Sequence, residues 1–263
     1  MRNARKILGY QLRDVLRNKW ILAYALVLML LTEALFRLGG DGGRVLLSLL
    51  NVVLIFVPLV GLTFGTLYLY TAREFIELLL AQPVGRGSMF AGLWAGLVLP
   101  LSAALVVGTG LPFLLHTSDG PVPVHSLLML LGTGVLLTGV FTALAFLIAL
   151  RFDDRARGFG AALLVWLACA VVYDGLVLLT VTIFGSYPLE TPLLGLMLLN
   201  PLDLGRVMLL LDFDVAALLG YTGAVFQHFL GTALGLGVAA TSLVLWTALP
   251  LWLGARRFGR RDF

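Results

Sequence analysis

Residues 45–70 read VLLSLLNVVLIFVPLVGLTFGTLYLY and contain no charged side chain. A helix needs about 20 apolar residues to cross a hydrocarbon layer of roughly 30 Å, so this stretch predicts a membrane-spanning helix. It runs directly into TAREFIELLLAQPVGRGS at residues 71–88, where Arg73, Glu74 and Glu77 stand among apolar neighbours. The change of pattern predicts a span that reaches a membrane face and continues as a short amphipathic helix.

The composition extends the membrane assignment to the whole chain. Of the 263 residues, 60% are apolar and 12% are charged, and the mean hydropathy is +1.02. Ordinary soluble domains carry roughly 25% charged residues, and a soluble core of this length could not hide so much apolar surface. The same figures exclude a disordered chain, and a single cysteine, Cys169, excludes a disulfide framework.

Six apolar stretches are long enough to cross a membrane, and most of them contain no charged residue. The predicted spans are residues 20–36, 45–70, 89–115, 126–150, 159–184 and 232–253. The predicted fold class is therefore an all-α polytopic membrane protein with six transmembrane helices in a single transmembrane domain over residues 1–263. No removable signal sequence is predicted, because no small-residue cleavage site follows the first apolar run.

The positions of the basic residues predict the orientation. The formal net charge is +4, with 18 Lys and Arg against 14 Asp and Glu. Only Arg37, Arg44 and Arg206 fall in segments on the side opposite the N-terminus, and cytoplasmic loops carry the excess of basic residues. We therefore expect both termini in the cytoplasm of a bacterium, with the chain in the inner membrane. Basic charge placed at membrane faces does not indicate a nucleic-acid partner.

Residues 1–19 form an amphipathic segment ahead of the first span. Leu8, Leu12, Val15 and Leu16 recur at helical spacing, and basic side chains occupy other positions around the axis. The pattern predicts an interfacial helix whose Arg and Lys side chains contact anionic lipid headgroups. A helix that also receives force from a cytoplasmic partner is the alternative.

The segment at residues 71–88 is apolar for a connecting loop, and Pro83 and Gly85 end its helical pattern. A short helix with an apolar face at the cytoplasmic surface is suited to the groove of a partner protein. The alternative is a helix that lies flat in the membrane interface.

The last outside segment, residues 185–231, is long and partly apolar, but Asn200, Pro201, Asp203 and Arg206 interrupt it. A seventh span would bury Asp203 and Arg206 at roughly 3 kcal/mol each. It would also place the termini on opposite sides. We therefore predict helices that dip into the outer leaflet or cover the bundle as a periplasmic cap, with these four residues as its candidates.

Two acidic residues, Glu33 and Asp174, lie within predicted spans. An ionisable residue inside a membrane is a candidate functional residue, so Asp174 is a candidate for proton coupling. A protonated acid or a hydrogen bond to a neighbouring helix is the structural alternative. Glu33 lies nearer the outer end and has Arg37 four residues on, the spacing of a helical ion pair.

Several catalytic and metal-binding patterns are missing from the sequence. The two lysines, Lys6 and Lys19, follow no glycine-rich phosphate loop, and no His-Glu-x-x-His pattern occurs. His116, His125 and His228 are dispersed, as are the six methionines, so no soft-metal site is predicted. We expect a non-catalytic subunit that holds no metal or other cofactor.

The arrangement of spans and flanking helices resembles the ABC-2-type permease subunits of ABC transporters. In that family the segment after the second span is a coupling helix that docks on a separate ATPase, which binds the ATP and Mg²⁺. The resemblance implies a coupling role for residues within 71–88. These candidates are Arg73, Glu74, Glu77, Leu80, Gln82, Pro83 and Arg86.

A narrower resemblance, to NosY-type permeases, covers nearly the whole chain. It is carried by the run at residues 48–86 that includes Val57-Pro58-Leu59, by Asn200-Pro201-Leu202-Asp203-Leu204-Gly205-Arg206, and by Gly220-Tyr221-Thr222-Gly223. That family is the membrane part of the machinery that matures the copper–sulfur site of nitrous oxide reductase. The implied partners are a NosF-like ATPase, a periplasmic β-helical NosD-like protein and a second permease copy. The implied action is export of a sulfur compound or transmission of mechanical work.

Three other functions remain open at this point. An ABC-2 exporter could carry another cargo, such as a lipid, a peptide or a drug. A secondary transporter could be driven by protons through Asp174 and would need no ATPase. A membrane scaffold would use the long outside segment as a docking site without transport.

Overall fold

A computed structural model describes residues 19–38, 41–80, 85–116, 124–184, 190–212 and 233–260. The predicted interfacial helix at 1–18 lies outside these residues. So do Gln82, Pro83 and the parts of the predicted cap at 185–189 and 213–231.

The described residues form helices and no strand. Six of the helices are long and apolar enough to cross a membrane, which confirms the all-α fold with six spans. In chain order the helices are α1 (Lys19–Arg37), α2 (Gly42–Thr71), α3 (Arg73–Leu80), α4 (Arg86–Leu115), α5 (Val124–Ala149), α6 (Arg155–Phe184), α7 (Glu190–Leu199), α8 (Pro201–Asp212) and α9 (Ala233–Arg260).

The three spans α2, α4 and α5 supply most of the buried side chains. Helix α5 packs along α2 and also contacts α4 and α9, while α1 packs mainly on α4 and α6 on α2. Phe90, Phe146 and Phe258 form one aromatic cluster of this core, with ring centroids 5.5 and 5.7 Å from Phe90. Helices α1, α6 and α9 leave long apolar faces exposed, as expected for surfaces that meet lipid or another protein.

Close contact between α2 and α5 depends on two glycines one turn apart. A Cβ atom at Gly61 would lie 3.3 Å from the Cβ of Phe141, and one at Gly65 would lie 2.5 Å from the Cβ of Ala145. Small residues at this spacing let helix backbones approach and pack in membranes. Gly61 and Gly65 therefore serve packing within one bundle.

Helix α6 contains a π-helical turn at Ala168–Val172. At its end the backbone N–H of Tyr173 donates to the carbonyl of Ala168, five residues back. A single π-turn inside an α-helix adds one residue to the turn and changes the direction in which the following side chains point. Asp174 is the second residue after this turn.

The chain bends by 112° between α7 and α8, which is the geometry of a re-entrant segment or a broken span. The break falls at Asn200-Pro201, where the side-chain oxygen of Asn200 accepts a hydrogen bond from the N–H of Leu202 at 3.1 Å. Proline is favourable as the first residue of a helix and disfavours helical geometry in the residue before it. The local sequence thus explains why this apolar segment does not form one straight helix.

Two helices differ most from the bounds predicted from the sequence, while the others differ by up to four residues at an end. Helix α3 is Arg73–Leu80, narrower than 71–88, because Thr71 ends α2 and Arg86 begins α4. Helix α9 continues from the predicted end at 253 to Arg260, and the guanidinium of Arg256 lies 3.6 Å from the ring centroid of Trp252. Basic residues stabilise the C-terminal end of a helix, so loss of the apolar pattern there did not mark its end.

We predict that Gly65→Ala lowers the thermal unfolding midpoint of the purified protein, because the new methyl group forces α2 and α5 apart. Overpacking of this kind costs about 1–3 kcal/mol. The matched control is Gly132→Ala in α5, where an added Cβ would meet nothing within 4 Å. Equal midpoints for the two variants would contradict the assigned packing.

Candidate functional site

The short helix α3 is joined to the long span α2 through one residue. The N–H of Ala72 donates to the carbonyl of Tyr68 at 2.9 Å, and the N–H of Ile76 donates to the carbonyl of Ala72 at 2.8 Å. Ile76 is fully buried and anchors α3 to the bundle. Because the hydrogen-bonded backbone continues through the turn, displacement of α3 acts directly on the end of α2.

The outward side of α3 combines apolar and acidic groups. Leu78 is 72% exposed and Phe75 is 43% exposed, and the side chains of Glu74 and Glu77 are also exposed. Exposed aromatic and aliphatic groups bordered by charge are typical of protein interaction surfaces. We call Glu74, Phe75, Glu77 and Leu78 the α3 surface.

The remaining predicted coupling residues do not all belong to this surface. The guanidinium of Arg73 lies 4.9 Å from the ring centroid of Tyr70, at the junction with α2. Leu80 ends α3. Arg86 is the first residue of α4, and its Nη1 donates to the carbonyl of Gly259 at 3.0 Å, so it joins α4 to the end of α9.

A second set of contacts near α3 has no counterpart in the sequence-based prediction. The hydroxyl of Tyr70 donates to the carbonyl of Phe152 at 2.9 Å. A Cβ at Gly158 would lie 1.9 Å from the Tyr70 hydroxyl oxygen, so a larger residue there would displace the Tyr70 ring. We call Tyr70, Phe152 and Gly158 the inner joint, because they connect the end of α2 to the start of α6. A tyrosine at the end of a span indicates the membrane–water interface but does not identify the residue that it contacts. The contact therefore could not be predicted from the sequence.

Four polar residues from α6 and from the α7–α8 pair meet in a second group of contacts. The Nη1 atom of Arg206 lies 2.9 Å from both carboxylate oxygens of Asp174 and 3.4 Å from Oδ1 of Asp203. The amide nitrogen of Asn200 donates to Oδ2 of Asp203 at 3.1 Å. We call Asp174, Asn200, Asp203 and Arg206 the outer polar cluster.

The local folds of α6 and α8 position this cluster. Asp203 and Arg206 are three residues apart and therefore share one face of α8. The amide of Asn200, almost fully buried, also donates to the carbonyl of Cys169 at 2.9 Å, within the π-turn of α6. The break before α8 and the irregular turn of α6 thus face each other through hydrogen bonds.

Two further hydrogen bonds attach α7 to the neighbouring spans. The hydroxyl of Tyr173 donates to the carbonyl of Leu196, and the indole N–H of Trp246 in α9 donates to the carbonyl of Leu198 at 2.9 Å. Carbonyl groups near the end of a helix have no partner within it. The two side chains therefore supply hydrogen bonds to carbonyl groups at the end of α7, and they hold α7 between α6 and α9.

In the outer polar cluster one guanidinium, that of Arg206, lies near two carboxylates. The side chains of Arg206 and Asp174 are 30% and 41% exposed, and that of Asp203 is 14% exposed. Ionisable groups inside a membrane are costly unless they pair or face water. The cluster contains no nucleophile–base pair, and the described part of the chain has no group of three His, Cys, Asp or Glu side chains placed to hold a metal. Its geometry suits a structural connection between α6 and α8.

The structure joins residues that the sequence had assigned to separate roles. Asp174 was an intramembrane candidate, whereas Asn200, Asp203 and Arg206 were candidates for the periplasmic cap, and Pro201 is the first residue of α8. The carboxylate of Asp174 accepts hydrogen bonds from Arg206 of the neighbouring helix α8.

Glu33 lies apart from the cluster and makes its own contacts. Its Oε1 accepts from Nε of Arg37 at 2.8 Å, the partner expected from the helical spacing. Its Oε2 lies 3.8 Å from Nδ1 of His116, whose ring stacks on Phe36 at 4.4 Å between centroids. This group joins the end of α1 to the end of α4.

These features define an α-helical polytopic membrane subunit with a helix presented beyond the second span. Two proteins named as probable ABC transporter permease protein NosY are similar to the chain. The one from Pseudomonas aeruginosa is 32% identical over 262 residues, covering 93% of this chain and 91% of the relative. The one from Stutzerimonas stutzeri is 29% identical over 261 residues, with the same coverage of both chains. No protein-family model matches the chain.

The chain is a permease subunit of an ABC transporter. Within that class, it belongs to the NosY family of permeases, as the similarity over nearly its whole length shows. Membership implies a separate ATPase as partner.

We predict that Arg206→Gln lowers the unfolding midpoint more than Asp174→Asn does. The first change leaves two nearby carboxylates without their cation, whereas the second leaves Arg206 with Asp203. The double variant is expected to lose less than the sum of the single losses, with a coupling of about 0.5–3 kcal/mol. Arg44→Gln, at an exposed position in α2, is the control. Strict additivity would show that the ion pair contributes nothing to the fold.

Proposed function

We propose that this chain is the membrane subunit through which a NosF-like ATPase acts on the periplasmic maturation of the copper–sulfur site of nitrous oxide reductase. The observation that most supports a coupled role is the direct continuation of α2 into α3. In the proposed orientation both termini and α3 lie in the cytoplasm, and α7 and α8 lie on the periplasmic side. The distribution of Arg and Lys along the chain supports this orientation.

The first step of the proposed mechanism is docking of α3 on the ATPase. Phe75 and Leu78 would enter an apolar groove, since an exposed helix face of this kind binds as a set of anchors. Glu74 and Glu77 would select a basic rim around that groove, because complementary charge fixes the register of an interface. Gln82 and Pro83 follow α3 in the sequence and would extend the contact.

The second step is transmission through the bundle. Helix α2 has 30 residues and spans about 45 Å at 1.5 Å per residue, so it reaches from α3 to the opposite end of the bundle. The inner joint connects its end to α6. Closure of two ATPase subunits on ATP would shift the populations of two bundle arrangements through these contacts.

The third step is delivery at the periplasmic end. Helix α6 carries Asp174, whose ion pair with Arg206 connects it to α8. Movement of α6 would therefore reposition the α7–α8 pair, which is the proposed contact for a NosD-like β-helical protein. A second permease copy would present the same elements symmetrically.

Two modes of action are compatible with this proposal: export of a sulfur species and transfer of mechanical work. Four of the six spans predicted from the sequence contain no charged residue. This favours the transfer of mechanical work over the passage of a charged solute. Another cargo is the alternative within the ABC class. The family assignment and the pairing of Asp174 with Arg206 favour that class over a proton-driven secondary transporter.

We predict that Glu77→Arg weakens association with the ATPase by about tenfold or more, because it places like charges at the proposed basic rim. Co-purification and permease-stimulated ATP hydrolysis measure the effect, and Glu77→Gln separates loss of charge from its reversal. Arg44→Glu, at the opposite end of α2, is the control. Unchanged association and unchanged hydrolysis in Glu77→Arg would overturn the docking role of α3.

We expect a pull-down from gently solubilised native membranes to recover a P-loop ATPase together with a periplasmic β-helical protein. Mass spectrometry identifies both. Recovery of the ATPase alone would retain the ABC permease and overturn the proposed maturation partner. The Asp174→Asn and Arg206→Gln variants would be expected to retain the ATPase and to lose part of the periplasmic protein.

A further inference from the structure

An apolar cleft lies between α1, α2 and α6, with a volume of about 430 Å³. Among the side chains that line it are Trp20, Tyr24, Val27, Phe56, Phe64 and Leu163. Tyr24 and Phe56 lie side by side, with ring centroids 5.8 Å apart. The cleft is an open groove on the side of the bundle rather than an enclosed cavity.

The cleft opens sideways from the bundle at the depth of one membrane leaflet. Trp20 is 68% exposed and Val27 is 39% exposed. Along α1 the lining runs from Trp20 to Val27, about 10 Å, and along α2 from Phe56 to Phe64, about 12 Å. One leaflet of the hydrocarbon layer is roughly 15 Å thick, so the cleft occupies most of one leaflet.

The lining is apolar except for the indole N–H of Trp20 and the hydroxyls of Tyr24 and Thr63, and Thr63 is satisfied within its own helix. Its hydroxyl donates to the carbonyl of Leu59 at 2.8 Å, within α2. An occupant of the cleft therefore needs to offer mainly apolar surface. A water-filled cleft would require polar partners for each water molecule.

Charge at the end of the cleft indicates the kind of apolar molecule. Lys19, exposed at the start of α1, directly precedes Trp20 at the mouth. Lysine and arginine at a membrane face attract anionic headgroups, and tryptophan is enriched at headgroup level. Apolar walls one leaflet deep beneath a basic mouth match a phospholipid with an anionic headgroup.

We infer that this cleft is a binding site for one acyl chain of an anionic phospholipid from the leaflet on the Lys19 side. The bound chain fills the space between α1 and α6 and so supports the position of α6, whose start is held to α2 by the inner joint. Because the site is built from the walls of one chain, it does not rest on the proposed function.

The test uses the full-length chain in lipid nanodiscs that contain phosphatidylglycerol with a photoreactive diazirine on its acyl chain. After illumination, peptide mapping is expected to place label at residues 20–27, 56–64 and around Leu163 in excess of the exposed face of α9. Label at these positions no greater than at Leu245 and Leu249, which are exposed on α9, would overturn the site.

Filling the cleft provides the matched comparison. Ala23→Phe places a ring in the cleft and is expected to reduce labelling there by about tenfold, the effect of losing about two buried methylene groups. Ala91→Phe, at an exposed position near the start of α4, adds the same ring elsewhere and is expected to change nothing. Unchanged labelling in a folded Ala23→Phe variant would overturn the site. If that variant does not fold, the label map of the unaltered chain decides alone.

Two further measurements test the preference for an anionic headgroup and the identity of the occupant. Lys19→Glu is expected to lower labelling by the phosphatidylglycerol probe relative to a phosphatidylcholine probe, and an unchanged ratio would overturn the anionic preference. Efficient disulfide crosslinking between two copies of an Ala23→Cys variant, in the background Cys169→Ser, would show that a second chain occupies the cleft and overturn the lipid assignment.

Discussion

The close approach of α2 and α5 is the constraint on which the rest of the bundle depends. At Gly65 the neighbouring helix leaves no room for a methyl group, so the two backbones define a fixed pair. Helix α4 packs against that pair, α1 packs on α4, and α6 packs on α2. In a membrane, where lipid is as apolar as the side chains, this fit of shapes replaces the hydrophobic driving force of a soluble core. Whatever moves α2 must therefore move α5 with it or separate a tightly packed contact.

The sequence predicted the spans well because the signal for a membrane helix is strong and local. Residues 45–70 need no knowledge of their neighbours to be recognised as a span, since every backbone polar group must be satisfied within the helix. The same holds for the short helix after α2, whose pattern of Glu and Leu is visible at once. Its ends were placed less well because Thr71 and Arg86 are equally compatible with the long helices on either side.

Contacts between residues that lie far apart in the chain could not be predicted from the sequence. Asp174 and Arg206 each stand out as charged residues in apolar surroundings, but no pattern in the sequence predicts that they form a pair. Their pairing depends on the angle between α7 and α8 and on the turn at Ala168–Val172. The contact between Tyr70 and Gly158 was missed for the same reason, because a single glycine in a helix indicates close approach but not to what.

The π-turn of α6 has a consequence for how the two halves of that helix are related. A π-turn is equivalent to one residue inserted into an α-helix, so the outer half is rotated by about 100° from the position that a regular helix would give it. Removal of a single residue between Ala168 and Val172 would restore the regular helix and turn Asp174 away from Arg206, while leaving the inner half and its contacts with α2 in place. The rotation of the outer half of α6 about the helix axis is therefore set by the number of residues in α6. The ion pair between Asp174 and Arg206 forms because α6 has one residue more than a regular helix of the same extent.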